Sequence, residues 1–582
     1  MNTDAGTICE TVWQRWGATS SNLLQVLIEI QDRLRGGIPD EVLERLADKS
    51  GLAVVEIRGV VEFYSFLHLV PHGQYDVLFS DNITDRFQGS HELIRQFCRL
   101  LDIEPGTTRE DQRLSLDFTS CTGMSDQVPA MLVNGLAIPR LTADRIATIA
   151  RLIGTAQPLD QWPRELFDVD ANIQREDILL QTGFTSGAAV HRARETGGEA
   201  VLDELEMAGL RGRGGAGFPT AKKWRFCRAT PAEDRVVVCN ADEGEPGTFK
   251  DRVLLQYFFD RLIEGMQLCA LTIGAATGFI YLRGEYRYLL PALQSQLEAC
   301  RRQGLLGGDF DIRIHLGAGA YICGEESALL ESLEGKRGIP RIRPPFPVNA
   351  GYLGLPTVVN NVESFVAAAM IMEQGADWFL SRGTETSTGT KLLSISGDCA
   401  KPGVYEYPFG TSIRKILEDC GADDPQMVQV AGAAGTMIGE TDFDRCISFD
   451  DVATGGSFMI FDRSRDLPEI IGNFIAFFVH ESCGFCTPCR VGTSLLQKRF
   501  DKLLSGRASR LDLEKMQQIG TLMKVTSHCG LGATAPNALL DSLKNFPSMY
   551  EDRLASTQFE PAFILEDALQ EARTLADSGA KS

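Results

Sequence analysis

Four cysteines near the C-terminus have the spacing of iron–sulfur ligands. Cys483, Cys486 and Cys489 lie three residues apart, and Cys529 follows forty residues later. A short loop can cover three iron corners of a cubic cluster while a packed helix presents the fourth thiolate. The pattern predicts a [4Fe–4S] cluster on these four cysteines, and therefore a chain that carries electrons.

Three other kinds of site account less well for these cysteines. Structural zinc usually takes two separated Cys-x-x-Cys pairs rather than a triplet and a single cysteine. A thioredoxin-type pair at Cys486 and Cys489 leaves Cys483 without a role. Covalent haem attachment is excluded, because no histidine follows Cys489.

A glycine-rich loop, residues 211–220, is the second region that could do chemistry. It contains a literal G-x-G-x-x-G, but a Rossmann fingerprint needs a strand before it, and residues 200–210 have a helical pattern. Bare backbone can still approach a phosphate or a flat ring. Arg213 and Lys223 beside it favour an anionic ligand over a plain turn.

Polar groups also follow two predicted strands, at 235–239 and 310–315. After the first, acids and amides within 239–252 could bond ribityl or ribose hydroxyls, and their spacing does not match an EF-hand. After the second, Glu325 and Glu326 open a predicted helix. An acidic residue there favours the ribose 2′-hydroxyl of NAD over the 2′-phosphate of NADP.

Composition limits the classes of function. The 582-residue chain is long enough for roughly three to five domains. A net charge of −21 argues against nucleic acid and against an anionic membrane surface. The start lacks the pattern of a signal peptide, and the uncharged stretch 265–282 is interpreted as a buried helix and strand, not a membrane span. Fifteen mostly isolated cysteines indicate reduced thiols, so a cytoplasmic protein without membrane insertion is expected.

The chain divides by pattern into successive segments. Residues 1–66 have helical periodicity, and a small α/β unit extends to about 148. A mixed segment to about 183 is interpreted as a linker. Alternating strands and helices then continue to about 382, a strand-rich segment to about 461, and a helical segment to about 556. The last 25 residues are expected to be a loosely ordered tail.

Together the glycine loops, the paired amides at 360–361 and the cysteine motif resemble the flavin-containing NADH-oxidising subunit of respiratory complex I and its soluble relatives, over residues 180–556. The resemblance implies an α/β multidomain fold. Its parts are an N-terminal helical plus thioredoxin-like domain (1–154), a linker (155–182), a Rossmann-like FMN/NAD-binding domain (183–385), a ubiquitin-like β domain (386–462), a four-helix [4Fe–4S] domain (463–556) and a tail (557–582).

The same resemblance implies the cofactor contacts. For FMN they are Gly212, Arg213, Gly214, Lys223, Asn240, Asp242, Glu243, Tyr321, Gly324, Glu325, Asn360 and Asn361. For NAD they are Phe218, Phe226, Glu245, Glu326, Arg343 and Phe346, with Glu245, Glu325 and Glu326 near the ribose and amide. Arg343 stands where many relatives carry lysine, so a retained contact with altered geometry is expected. No side chain is expected to act as general acid or base, because the hydride chemistry belongs to the flavin.

The N-terminal 150 residues resemble the thioredoxin-like partner subunit, which holds a [2Fe–2S] cluster in complex I. The positions that match its four ligands are Ser80, Asp85, Cys121 and Ser125. One thiol is too few for a [2Fe–2S] centre, so a clusterless scaffold is expected. A fused, clusterless module of this kind is most similar to the diaphorase flavoprotein subunit of soluble NAD-reducing [NiFe] hydrogenases.

That resemblance implies exchange of hydride between NAD and FMN and relay of single electrons, through the [4Fe–4S] cluster, to or from a partner hydrogenase module (H2 + NAD+ = NADH + H+). The chain lacks further Cys-x-x-Cys pairs for nickel and iron, so an iron–sulfur relay subunit and a [NiFe] catalytic module are expected as separate chains. Alternatives are the flavin subunit of an NAD-dependent formate dehydrogenase, the complex I subunit itself, or a non-enzymatic scaffold.

Overall fold

A computed structural model describes residues 5–34, 36–555 and 565–579. Four amphipathic helices come first, as the periodicity predicts: α1 (Ala5–Arg15), α2 (Leu23–Leu34), α3 (Asp40–Ser50) and α4 (Val54–Phe63). Their apolar faces belong to one core that also contains residues of the flavin-side helices and of the C-terminal helices. The N-terminal helices are therefore packed onto the rest of the protein.

The thioredoxin-like unit is a five-stranded sheet in the order β2-β3-β1-β4-β5. Strand β1 lies in the middle, parallel to β3 and antiparallel to β4, and helices α6 and α7 contact each other beside the sheet. The elements are β1 (Tyr75–Ser80), α5 (Ile83–Phe87), α6 (Ser90–Leu101), β2 (Thr107–Thr108), β3 (Leu114–Thr119), β4 (Met131–Val133), β5 (Leu136–Ile138) and α7 (Ala143–Gly154).

The segment interpreted as a linker contributes to a sheet. It forms strand β6 (Ile173–Arg175), which pairs in parallel with a strand of the later β domain. Downstream, Leu179 and Leu180 are buried. Their backbone N–H groups donate to the buried carboxylate of Glu406, at 2.6 and 3.0 Å. The composition of this segment predicted a linker on the protein surface. Burial of its apolar side chains and hydrogen bonds of its backbone instead hold the second half in place.

The flavin-type domain has a four-stranded parallel sheet in the order β10-β7-β8-β9, covered by helices. Gly265 lets helices α12 and α15 cross closely, since a Cβ there would lie 2.1 Å from the Phe365 carbonyl oxygen. The elements are α8 (Ala188–Thr196), α9 (Gly198–Met207), α10 (Thr220–Ala229), β7 (Val236–Ala241), α11 (Lys250–Tyr257), α12 (Phe259–Ile273), β8 (Thr277–Leu282), α13 (Leu290–Arg302), β9 (Asp311–Leu316), α14 (Glu326–Leu333), β10 (Thr357–Asn361), α15 (Val362–Gln374) and α16 (Ala376–Leu380).

The β domain is a mixed six-stranded sheet in the order β14-β13-β15-β11-β12-β6, with one helix packed in its core. Strands β11 and β15 are parallel neighbours, and β12 and β13 are antiparallel to them. The elements are β11 (Thr390–Gly397), β12 (Gly403–Pro408), α17 (Ile413–Cys420), β13 (Pro425–Val430), β14 (Thr436–Gly439) and β15 (Ser457–Asp462).

The remaining chain is helical, as predicted: α18 (Leu467–Glu481), α19 (Thr487–Leu504), α20 (Arg510–Thr526), α21 (Gly530–Thr534), α22 (Asn537–Asn545), α23 (Pro547–Glu551) and α24 (Leu565–Gly579). Part of the tail expected over 557–582, namely 557–564 and 580–582, lies outside the described residues, and residues 565–579 form helix α24. No described helix is long and apolar enough to cross a membrane.

Candidate functional site

The glycine loop is closed at its base and bare at its tip. The N–H of Gly212 donates to the carbonyl of Phe218 at 2.9 Å. A Cβ at Gly214 would lie 3.3 Å from the Cβ of Asn361, at the carboxyl end of β10. Gly215 has a φ of +113°, which favours glycine. The loop therefore brings exposed backbone to the edge of the sheet where parallel strands end.

Arg213 of this loop and Lys223 of α10 point in different directions. The guanidinium of Arg213 is buried, donates to the Thr388 carbonyl at 2.9 Å and lies 4.8 Å from the centre of the Phe409 ring. The main chain of Arg213 is also held by neighbours, since its N–H donates to the Ser364 hydroxyl at 2.9 Å and its carbonyl accepts from Lys391 Nζ at 3.0 Å. Lys223 Nζ instead donates to Glu326 at 2.9 Å and to the Val359 carbonyl at 3.0 Å.

The loop after β7 holds an unpaired buried carboxyl oxygen. Asn240 donates to the Gly324 carbonyl at 2.9 Å, and its side-chain oxygen accepts the N–H of Asp242 at 3.1 Å. Asp242 Oδ2 is buried with no hydrogen-bond partner among the described residues. Burial raises the pKa of Asp242 well above its usual value. A buried acceptor of this kind indicates a hydroxyl or N–H donor from a ligand.

Glu243, expected to contact FMN, is used within the protein. Its carboxyl caps α11 by accepting the N–H groups of Asp251 and Arg252 at 2.8 and 3.1 Å, and it accepts the Tyr286 hydroxyl at 2.8 Å. Burial raises its pKa to about 7. The side chain of Glu243 therefore positions the loop.

Glu245 joins three segments of the chain. It accepts the Tyr321 hydroxyl at 2.5 Å and the N–H of Ala434, in the β domain, at 3.0 Å. Gly432 has a φ of +70°, and a Cβ there would lie 2.2 Å from Glu245 Oε1. Burial raises the pKa of Glu245 to about 7. The carboxyl is thus held at the junction of the flavin-type and β domains.

Asn360 and Asn361 end strand β10 beside β7. Asn360 accepts the indole N–H of Trp224 at 3.0 Å. Asn361 caps α15 through the N–H of Glu363 at 3.1 Å and donates to Asp251 at 2.6 Å. The amide pair is therefore fixed in orientation by neighbours on both sides.

The residues proposed to contact NAD are charged side chains near the start of α14 and three exposed phenylalanine rings. Glu325 caps α14 by accepting two backbone N–H groups, and Arg343 Nη1 lies 3.4 Å from Glu325 and 3.9 Å from Glu326. The rings of Phe218, Phe226 and Phe346 are 42–50% exposed, which leaves their faces available for stacking.

Sequence reasoning missed a buried group of charges beneath Asn361. Lys250, Glu363 and Lys391 are all buried, and Lys250 Nζ lies 3.0 Å from Glu363 and 3.3 Å from Asn361 Oδ1. Lys391 pairs with the same glutamate, and burial lowers its pKa to about 7. Only the charged run Lys250–Arg252 after a turn hinted at this group, which orients one of the paired amides.

The four C-terminal cysteines converge from two loops. Cys483 follows α18, Cys486 is the N-cap of α19, Cys489 lies in its first turn, and Cys529 is the N-cap of α21. Burial, together with the neighbouring thiols as a smaller cause, raises the pKa values of Cys489 and Cys529 to about 11. Iron would bind these cysteines as thiolates.

The donor sets fit the expected groups. Four converging thiols, with glycine at Gly532 where a Cβ would lie 2.8 Å from the Cβ of Cys489, fit a [4Fe–4S] cluster. The glycine loop, the paired amides and the unpaired Asp242 oxygen fit FMN. When bound, FMN couples two-electron hydride exchange with NAD to one-electron exchange with the cluster.

The degenerate [2Fe–2S] positions meet, but they bond one another. The Ser80 hydroxyl lies 2.8 Å from Asp85 Oδ2, Asn82 donates to Ser125 at 3.0 Å, and the hydroxyl of Ser125 lies 3.8 Å from the sulfur of Cys121. Burial raises the pKa of Asp85 to about 7. Hydrogen-bonded side chains occupy the positions from which four ligands would bind a cluster.

Three family descriptions match successive parts of the chain. A thioredoxin-like [2Fe-2S] ferredoxin family matches residues 9–153, the Nuo51 FMN-binding domain matches 205–370, and the NADH-ubiquinone oxidoreductase-F iron-sulfur binding region matches 469–553. The fold and site thus define a flavoprotein subunit of the complex I type with a fused thioredoxin-like module.

Relatives that match nearly the whole chain identify a narrower family within this class of flavoprotein subunits. The chain is 41% identical to the NAD-reducing hydrogenase HoxS subunit alpha of Cupriavidus necator, over 96% of each chain. It is 43% identical, with a TM-score of 0.89, to a chain in the crystal structure of an air-oxidized NAD+-reducing [NiFe]-hydrogenase, covering 96% of this chain and 98% of that one. An NADH-quinone oxidoreductase component of Rhizobium meliloti is 38% identical over 64% of this chain and 94% of its own. The chain belongs to the family of NAD-reducing hydrogenase alpha subunits.

Proposed function

We propose that this chain is the diaphorase subunit of an NAD-reducing hydrogenase. It exchanges hydride between NAD and FMN and relays single electrons through its [4Fe–4S] cluster to or from a [NiFe] module on separate chains. The observation that carries the proposal is the combination, in one chain, of an FMN-type site, a four-thiol cage and a thioredoxin-like module with one cysteine among its four ligand positions.

The full-length match separates this function from the complex I alternative. The hydrogenase alpha subunit aligns with 96% of the chain, including the N-terminal module, whereas the complex I relative aligns with 64%. The intact cage and flavin-type loops argue against a scaffold without enzymatic activity. The partner chains determine whether the complex oxidises H2 or formate. Measuring which of the two reduces the flavin therefore tests the formate dehydrogenase alternative.

In this proposal the side chains and backbone of the chain bind FMN and NAD and orient them. The backbone of Gly212, Arg213 and Gly214, with Lys223, meets the FMN phosphate. The site further includes Asn240, Asp242, Tyr321, Gly324, Asn360 and Asn361, supported from behind by Glu243 and Glu325. Phe218, Phe226 and Phe346 stack with NAD, while Glu245, Glu326 and Arg343 bond its ribose and amide.

The division of the chain is part of the same proposal. We place the thioredoxin-like module at 1–154, the connecting segment at 155–182, the FMN/NAD domain at 183–385, the ubiquitin-like domain at 386–462, the cluster domain at 463–556 and the terminal segment at 557–582. We further propose a cytoplasmic location, supported by cysteines that are all unpaired as disulfides and in large part buried.

The variant Cys486→Ala, in the assembled complex, tests the relay. Reduction of the flavin by NADH should persist, because the flavin-type site is untouched, whereas H2-dependent NAD+ reduction should fall to background. Cys446→Ala, a half-buried cysteine of the β domain, is the matched control and should keep both activities. Partner-linked turnover that survives in Cys486→Ala would overturn the relay role.

A further inference from the structure

A cluster of two histidines and an aspartate lies between the N-terminal helices and the thioredoxin-like sheet. His68, His72 and Asp76 follow one another at four-residue spacing. One ligand atom from each lies within 4.8 Å of the other two. Within 5–34, 36–555 and 565–579, no other three His, Cys, Asp or Glu side chains meet that distance. None of the three has a role in the flavin or cluster sites.

Two atoms of this cluster are buried without a hydrogen-bond partner in the described part of the chain. They are Nε2 of His68 and Oδ1 of Asp76. The same His68 nitrogen lies 4.0 Å from the other oxygen of Asp76, too far for a hydrogen bond. An unpaired buried polar atom destabilises a fold, because it loses its hydrogen bonds to water without gaining others. Two such atoms side by side indicate a partner that binds both.

The cluster lines a cavity with room for an ion and its water. The cavity has a volume of about 480 Å³, and all three side chains line it. The other charged groups in its wall, Asp32 and Arg287, form an ion pair with each other. The Asp76 carboxylate is therefore the acidic group of the cavity wall that lacks a cationic partner.

The main chains of two of the three residues are held in place from different units. The N–H of His68 donates to Gln31 of α2 at 2.7 Å, and its carbonyl accepts the N–H of Ile38 at 2.7 Å. Asp76 belongs to β1, where its N–H donates to Asn134 at 2.7 Å. An ion shared by His68 and Asp76 would therefore tie the N-terminal helices to the sheet.

His72 must turn to complete the set. Its ring is stacked on that of His68, with centroids 3.4 Å apart and an angle of 14° between the planes. Imidazole lone pairs lie in the ring plane, so stacked rings point them in parallel and not at one ion. His72 is half-buried, and its Nδ1 has a long contact of 3.5 Å with the Val70 carbonyl. A rotation of this side chain brings a nitrogen into the cavity.

We propose that His68, His72 and Asp76 form a binding site for a divalent transition-metal ion of the zinc type, with water in the fourth position. Two imidazoles and one carboxylate suit Zn²⁺, whereas Ca²⁺ and Mg²⁺ prefer oxygen ligands alone. The ion clamps the segment after α4 to strand β1, and its binding stabilises the folded state by mass action.

Zinc binding to the purified, cluster-loaded complex tests the site. The complex is treated with a mild chelator and equilibrated with Zn²⁺. Bound zinc is counted by mass spectrometry, and its ligands are identified by X-ray absorption at the zinc edge. We expect one zinc per chain, with a shell of nitrogen and oxygen at about 2.0–2.1 Å, and its loss in His68→Gln and Asp76→Asn. His191→Gln, an exposed histidine on α8, is the control and should keep the zinc.

Three results would overturn the site. They are equal zinc binding in wild type, His68→Gln and Asp76→Asn; a zinc shell that contains sulfur at about 2.3 Å; or unchanged zinc affinity in His72→Gln. Zn²⁺ should also raise the unfolding temperature of the wild type but not of His72→Gln. Because the contact of His72 with the Val70 carbonyl is long, at 3.5 Å, its loss should cost little stability, and this variant keeps the test valid if the substitutions at His68 and Asp76 impair folding.

Discussion

At the scale of single residues, buried carboxyl groups without a cationic partner recur around the site. Burial raises the pKa values of Asp85, Glu243 and Glu245 to about 7, because a low-dielectric interior disfavours the ionised form. Backbone N–H and hydroxyl donors offset part of this shift. These groups are therefore close to half protonated at neutral pH, and their ionisation contributes to the pH dependence of stability.

Asp85→Asn isolates one such contribution. The folded-state pKa of Asp85 lies above its unfolded value, so the wild type loses stability as pH rises from about 4 to about 7. The variant lacks this loss and should be more stable above pH 7, by as much as about 4 kcal/mol at 1.36 kcal/mol per pKa unit. Unfolding temperatures at pH 5.5 and 8 measure it.

The control for this comparison is Asp144→Asn, on the exposed face of α7. It removes one carboxylate without emptying a buried site. A difference between Asp85→Asn and the wild type that is the same at both pH values would contradict the assignment of a titrating, buried Asp85.

The residue types of the site could be predicted from the sequence, but side-chain directions could not. The structure places the glycine loop beside the amide pair at the end of β10, and it places Cys486 and Cys529 at the starts of two helices. Arg213 and Glu243 were expected to contact FMN. The guanidinium of Arg213 instead packs against phenylalanine rings, and the carboxyl of Glu243 caps α11. The direction of Arg213 depends on Phe409, which is distant in sequence, and that of Glu243 depends on Asp251 in the next element. No local sequence motif specifies these contacts.

At the scale of elements, the four positions that match [2Fe–2S] ligands are brought together by β1, α5 and the loop after β3. Positions 80, 85, 121 and 125 lie close together there. We infer that the residue types at these positions, rather than the placement of the elements, disfavour a cluster.

The triple variant Ser80→Cys, Asp85→Cys, Ser125→Cys tests this explanation. Together with Cys121 it restores four thiols, so reconstitution should add a [2Fe–2S] cluster, seen as two further irons per chain and a new signal in electron paramagnetic resonance. The same three positions changed to alanine are the control. No added iron in the cysteine variant would mean that the elements themselves have moved.

Strongly patterned elements were predictable, and weakly patterned ones were not. The buried helix and strand expected within 265–282 are present as the end of α12 and as β8. Strand β6 lies in the segment interpreted as a linker, since three residues form a strand only where β12 offers an edge.

At the scale of the whole molecule, one buried ion pair joins the thioredoxin-like module to the flavin-type domain. Arg252 and Asp126 are fully buried and 2.9 Å apart, and Arg252 also donates to the Gly123 carbonyl at 2.9 Å. Removing one partner leaves an uncompensated charge, which destabilises a fold by about 3–5 kcal/mol. The clusterless module is thereby attached as a structural part of the subunit.

Arg252→Met should therefore weaken the attachment of this module. We expect faster proteolysis in the connecting segment 155–172 and a lower unfolding temperature, while Asp126→Leu combined with Arg252→Met recovers much of the loss. Arg225→Met, which removes a partly exposed ion-pair network with Glu199, is the control and should change stability by less than about 1 kcal/mol. Equal effects of the two single variants would contradict the role of Arg252.

The most direct test of the whole account is the anaerobic reduction of the flavin in the natively purified complex by NADH, H2 or formate. We expect the visible flavin absorbance of the complex to bleach with NADH and with H2, and that of the isolated chain to bleach with NADH alone. Bleaching by formate and not by H2, or the absence of any flavin absorbance, would contradict it.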